Sequence, residues 1–256
     1  MAVIHNTSLK PTKLEVLTAW LPSQPWYQGN PQAPQLARSG GFRIDDPQGE
    51  VGIECMVVTD QSGDVPHSYF IPLTYRGAPL DGAEQALVGT TEHGILGRRW
   101  IYDGTHDPVL AAQLLALLQG RAEPQAQNAS NVRDESVTRH VGAGAGAAAG
   151  FGSSRVVGAA TVANSPHGSD LAFETITELG EAPEQAPEAE PDDRSGPART
   201  AVTLHIARIL EPVTEAGSAG QAADTPGCLA SVTGVWQSGD GTEQRGLFVA
   251  LRTSNR

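Results

Sequence analysis

The sequence predicts an α+β fold: a curved, mainly antiparallel sheet with two or three short helices, interrupted by disordered acidic Pro/Ala-rich segments. Three observations lead there. Apolar residues recur with period two in several short runs separated by turn residues, which is strand and hairpin patterning. Two segments carry helix-start chemistry followed by an apolar stripe. Glycine (29) and proline (18) together make about 18% of the 256 residues, above an average usage near 12%, so turns and connections take up much of the chain.

The first helix is read over 13–21. Thr12 can cap the first turn and Glu15, three residues on, can return the hydrogen bond, a capping box. Leu14, Leu17 and Leu21 follow at helical spacing, and Pro22, lacking an amide donor, ends the run. After a Pro/Gln-rich loop, Val51, Ile53, Cys55 and Val57 alternate with their neighbours, as do Tyr69, Ile71, Leu73 and Tyr75 beyond the turn residues 60–64. The two runs read as an antiparallel hairpin, and Pro72 would place its strand at an edge or a bulge, because it removes one ladder donor. Two further short strands are expected over 87–90 and 99–102. Asp107 then caps a helix with Pro108 in its first position and Leu110, Leu114, Leu115 and Leu118 as its stripe, ended by Gly120.

The second half is more interrupted. Residues 121–136 are mostly polar and 142–150 are a Gly/Ala repeat, so 121–150 reads as a flexible linker. Strand signals return at 155–162 and 171–179. Residues 181–198 hold six acids and four prolines against one arginine, too little apolar surface to offset the entropy of ordering, and are expected to be disordered. Val202, Leu204, Ile206 and Ile209 open the last ordered stretch, and the runs 229–236 and 247–251 form a hairpin about residues 238–241. The expected organisation is thus 1–120, a linker over 121–150, additional strands within 151–180, the disordered 181–198, and 199–256 as strands that complete the early sheet.

Composition narrows the function. A net charge of −12 with only two lysines, Lys10 and Lys13, repels phosphate backbones and anionic lipid, which argues against nucleic-acid and membrane partners. No apolar run approaches a membrane span and the N-terminus lacks the pattern of a signal peptide, so a cytoplasmic location is expected. Cys55 and Cys228 suit that compartment as free buried thiols. Gly144 and Gly146 belong to a linker, since a phosphate-cradling loop needs a preceding strand and a following helix. His93 and the Thr105-His106-Asp107 trio lack the partners of an acid/base pair, the acid pairs Asp45-Asp46 and Asp192-Asp193 lack calcium-loop spacing, and no nucleophile elbow occurs. No catalytic, cofactor-binding or metal residues are assigned. Of the aromatic residues Trp20, Trp26, Tyr27, Trp100 and Tyr102, the pair Trp26 and Tyr27 follows a proline in a loop and is taken as the candidate partner- or ligand-binding site.

The residues Leu14-Glu15-Val16-Leu17-Thr18-Ala19-Trp20-Leu21-Pro22-Ser23-Gln24-Pro25-Trp26-Tyr27-Gln28-Gly29 resemble the opening of bacterial maltokinases, where a helix leads into a Trp-Leu-Pro-x-Gln-x-Trp-aromatic-x-Gly signature. Leu87-Val88-Gly89-Thr90, then Tyr102-Asp103-Gly104-Thr105-His106-Asp107-Pro108 and its leucine-rich helix, are similar to the end of the same region, the N-terminal cap domain. The resemblance covers about 9–120. In the kinases the cap precedes two lobes that hold ATP, a catalytic Asp in a His-Gly-Asp-like loop and magnesium ligands. No such loop occurs here, and the basic residue common after the signature glycine is replaced by Asn30-Pro31. Without those parts phosphoryl transfer loses its positioning and charge stabilisation.

The resemblance therefore implies a stand-alone actinobacterial type of protein: a non-catalytic accessory or interaction module of maltose, trehalose or α-glucan metabolism, with a protein partner among those enzymes. One alternative is a soluble carbohydrate-binding module for maltooligosaccharide or trehalose. A second is a divergent maltokinase-like, ATP-dependent sugar kinase, which no catalytic motif supports.

Overall fold

The computed structural model describes residues 9–30, 34–129, 131–142, 145, 150–177, 198–213 and 227–254. The chain runs through β1 (Leu9–Lys10), α1 (Lys13–Trp20), β2 (Leu36–Ile44), β3 (Gly52–Asp60), β4 (His67–Arg76), β5 (Leu87–His93), β6 (Gly97–Asp103), α2 (Pro108–Gln119), β7 (Thr138–Val141), β8 (Ser154–Ser165), β9 (Gly168–Thr177), β10 (Arg199–Ala207), β11 (Cys228–Gln237) and β12 (Glu243–Thr253). The strands form one antiparallel sheet in the order β1-β5-β6-β4-β3-β2-β11-β12-β10-β9-β8, with β7 also paired to β11.

Both helices start as their sequences require. Thr12 and Glu15 close a capping box on α1, and a tight turn over Leu21–Ser23 follows it. Asp107 accepts the Val109 amide at the head of α2, and Gly120 ends that helix in the left-handed region at φ 77°, where a Cβ would be strained.

Pro72 is not at a sheet edge. β4 pairs with β3 from His67 to Tyr75 and with β6 from Leu73 to Arg76. Its first half meets a different segment: the Phe70 amide donates to Arg208 O, the Leu210 amide donates to Ser68 O, and Tyr69 bridges Ile209. Strand alternation turns the position-72 amide to that same side, in the gap where β4 exchanges one neighbour for the other. The missing donor costs nothing there. In its named strands the sheet is open, and this contact ties the chain after β10 back to β4, so the path β4-β3-β2-β11-β12-β10 returns to its start.

Both faces of β3 and β4 are buried, where alternation alone suggests one buried face. Cys55, Val57 and Phe70 join a cluster with Leu110, Leu114 and Leu118 of α2 and with β10–β12, while Met56, Val58, Tyr69 and Ile71 pack against Val16, Leu17 and Leu21. Phe42, Phe70 and Phe248, from three distant strands, stack with centroids 4.5 Å apart for the Phe70–Phe248 pair.

The expected flexible linker over 121–150 is corrected where it is described. Arg43 and Gln125 exchange both backbone hydrogen bonds at 2.8 Å, the Ala126 amide donates to Val132 O, and β7 pairs with β11. Polar composition misled here because the segment is held by main-chain groups, which any sequence supplies. Most of the Gly/Ala repeat lies outside the described residues, as does the expected disordered segment 181–198 except for Ala198. Among the described residues no helix is long and apolar enough to cross a membrane.

Candidate functional site

The aromatic loop is built from the end of α1 downward. Gln24 returns its amide to Leu21 O and Tyr27 returns its amide to Gln24 O, which folds the loop under the helix. This turns Trp26 inward. Its side chain is 0% exposed, packed with Leu17, Leu21 and Met56, set edge-on to Trp20 at 5.8 Å, tilted against Tyr69 at 5.8 Å, with the Arg208 guanidinium 5.0 Å from its ring centre. Trp26 is therefore a core residue and is withdrawn as a surface site. The two prolines stiffen the loop, but the burial of an indole outweighs any preference they impose.

Tyr27 remains half-buried. Its hydroxyl donates to Asp60 Oδ2 at 2.6 Å, and Asp60 also accepts from the Gln35 amide, the Ser62 amide and the Ser62 hydroxyl. Burial pushes the Asp60 carboxyl up, and the bonds from Tyr27, Gln35 and Ser62 together outweigh it, leaving the group below the ordinary carboxylate range. Burial, and then the hydrogen bond to Asp60, push the Tyr27 phenol well above its ordinary value. A Cβ on Gly29 would stand 2.0 Å from Asp60 Oδ2 and 2.4 Å from Tyr27 Oη. The glycine that ends the signature is thus required by the close approach of the loop to this pair.

The second motif is also consumed inside the fold. Asp103, 3% exposed, accepts from the Thr105 amide and hydroxyl and pairs with Arg208, itself 0% exposed, whose Nη2 reaches Asp103 Oδ1 at 2.7 Å and whose Nε donates to Ser169 Oγ at 2.7 Å. Asp107 caps α2 and takes Arg76 on both oxygens at 2.7 Å. A Cβ on Gly104 would lie 2.8 Å from Leu110 Cδ2 and 3.1 Å from Pro72 O, so the turn into α2 packs directly on β4.

Residues 20–107, spanning both motifs, match the family described as the maltokinase N-terminal cap domain. Over this segment the chain is similar to a maltokinase cap. No curated protein matches the chain. The cap match takes in Trp20, Trp26, Asp103 and Asp107, whereas Arg208 lies beyond it. Sequence reasoning missed Arg208, which stands in an unremarkable Ile-Ala-Arg-Ile run; its only signal was the presence of a charge in the middle of an apolar stretch.

The remaining candidates among the described residues resolve as structure; Gly144, Gly146 and Asp192-Asp193 lie outside them. His93 Nδ1 lies 3.3 and 3.1 Å from the amides of Ile95 and Leu96, and His106 Nδ1 lies 3.5 Å from Gln85 Nε2. Asp46 accepts the amides of Gln48, Glu50 and Val51, which organises the turn before β3. Cys55 and Cys228 are free and buried, and burial pushes the Cys55 thiol far above its ordinary range, away from the reactive thiolate. Among the described residues no group of His, Cys, Asp and Glu could hold a metal ion. Glu54, 4% exposed, takes Lys13 and Tyr75 Oη and fastens the start of α1 to β3.

Proposed function

We propose that the protein is a non-catalytic accessory module that acts by contact with an enzyme of maltose, trehalose or α-glucan metabolism. One observation carries the reading: the cap-like region is present, and the side chains that mark it, Trp26, Asp103 and Asp107, are spent on packing, an internal ion pair and a helix cap. Such a region is a scaffold whose contribution lies on its surface. Titrating the purified chain against purified actinobacterial maltokinase and trehalose- and α-glucan-forming enzymes, read by analytical ultracentrifugation, tests it. A discrete complex with one of them is the expected result; no complex with any of them, or phosphorylation of maltose by the chain and ATP alone, overturns it.

A second reading, a soluble carbohydrate-binding module for maltooligosaccharide or trehalose, is favoured by the half-exposed Trp20 at the end of α1 and the half-exposed Tyr27 in the loop that follows, since an aromatic face can stack on a sugar ring. Saturable quenching of tryptophan fluorescence by maltose, trehalose or glycogen supports it, and a flat titration to millimolar ligand removes it.

A further inference from the structure

The hairpin joining β5 to β6 ends in Gly94-Ile95-Leu96, between the paired residues His93 and Gly97. Ile95 is 61% exposed and Leu96 46%, so two adjacent aliphatic side chains stand in water. Their main chain is tied at three points. Nδ1 of His93 accepts the amides of both, the Arg99 guanidinium donates to Leu96 O at 2.9 Å, and Gly97 closes the turn at φ 70°. Lone exposed aliphatics need no explanation, whereas a pair on a hydrogen-bonded turn has the backbone part of its ordering entropy met before any contact forms. The rim carries a net positive charge: Glu92 lies opposite Lys10 on β1 and opposite Arg98 on β6, with which it forms an ion pair at 2.8 Å, and Arg99 follows at the next position, in a chain whose net charge is −12.

From this geometry we propose that the β5–β6 tip is the contact element of the protein, inserting Ile95 and Leu96 into an apolar cleft bordered by carboxylates on an enzyme partner. The proposal rests on the accessory-module reading and names the surface that reading leaves open. The cationic rim in an acidic chain selects an acidic border, because the rest of the molecule repels it. A protein cleft suits the tip better than a bilayer, since two aliphatics without an aromatic make a small membrane anchor.

The test uses the full chain and the double variant Ile95→Ser/Leu96→Ser, each titrated against the same enzyme panel and sedimented with vesicles of phosphatidylcholine and phosphatidylglycerol. The expected result is that the parent chain binds one enzyme and the variant binds it at least about tenfold more weakly, as removing central apolar anchors does, with an unchanged melting temperature. Equal binding by parent and variant overturns the tip and leaves the accessory-module reading standing. Tip-dependent binding to vesicles with none to any enzyme replaces the protein cleft by a lipid surface. Binding to neither overturns the tip together with the reading on which it rests.

Discussion

Trp26 shows how a single side chain changes its role when its surroundings are known. In the sequence it is one of a pair of loop aromatics; in the fold it touches α1, β3, β4 and Arg208. Trp26→Ala is expected to destabilise the protein by roughly 3 to 5 kcal/mol, the cost of emptying a large buried site, seen as a lower midpoint in chemical denaturation. Its neighbour Tyr27 acts through Asp60. The folded Asp60 carboxyl stands below its unfolded value, so the stability it adds is present above the unfolded pKa of about 3.9 and is lost as pH falls through the lower folded value. Tyr27→Phe removes one of the bonds that hold it down. The variant is expected to lose stability near neutral pH and to show a shallower fall below about pH 4 in a series of denaturation curves.

At the scale of elements, short-range chemistry placed what it could reach. The capping box of α1, and Asp107 and Gly120 of α2, are contained in segments of a few residues and were legible directly. Asp107 carries more than its cap, because it also takes both nitrogens offered by Arg76. Asp107→Ala is therefore expected to cost more than the roughly 1 kcal/mol of a lost N-cap. Asp107→Asn, which keeps an acceptor for the Val109 amide but not the charge, should recover part of that loss; thermal melts of the two variants separate cap from ion pair. β2 and β7 escaped notice for the opposite reason. The Gly40-Gly41 step interrupts β2, and it serves a close approach: a Cβ on Gly41, at φ 115°, would stand 2.1 Å from Cys55 O, and Gly40 is where β2 meets Trp236 of β11. Close backbone approach reads as weak strand propensity in one dimension.

On the scale of the whole molecule, the cap-like region is joined to the rest of the chain by the β2–β11 pairing, the return of 208–210 onto β4, and the Arg208–Asp103 pair. A fragment of residues 1–120 would leave Asp103 without its counter-charge and one side of β2 and β4 without a neighbour. It is expected to show no cooperative thermal transition by circular dichroism, in contrast to the full chain. Within the full chain, Arg208→Ala strands a buried carboxylate and should destabilise by about 3 to 5 kcal/mol. Asp103→Asn combined with Arg208→Met should cost less than the sum of the single changes, a coupling above about 0.5 kcal/mol in a double-mutant cycle, as residues in contact show.

By itself the sequence determined the antiparallel α+β character, the two capped helices, the late hairpin and the cap resemblance, because each is written in residues a few positions apart: a cap and its amide, a turn and its flanking alternation, a motif and its spacing. Tertiary structure decided that Trp26 lies in the core, that Pro72 sits in an interior strand, that 121–142 binds to β2 and β11, and that Asp103 is neutralised by an arginine 105 positions away. Those outcomes depend on which surfaces meet once the chain after β10 returns to β4, and burial and charge pairing act through distance in space, which local patterning does not encode.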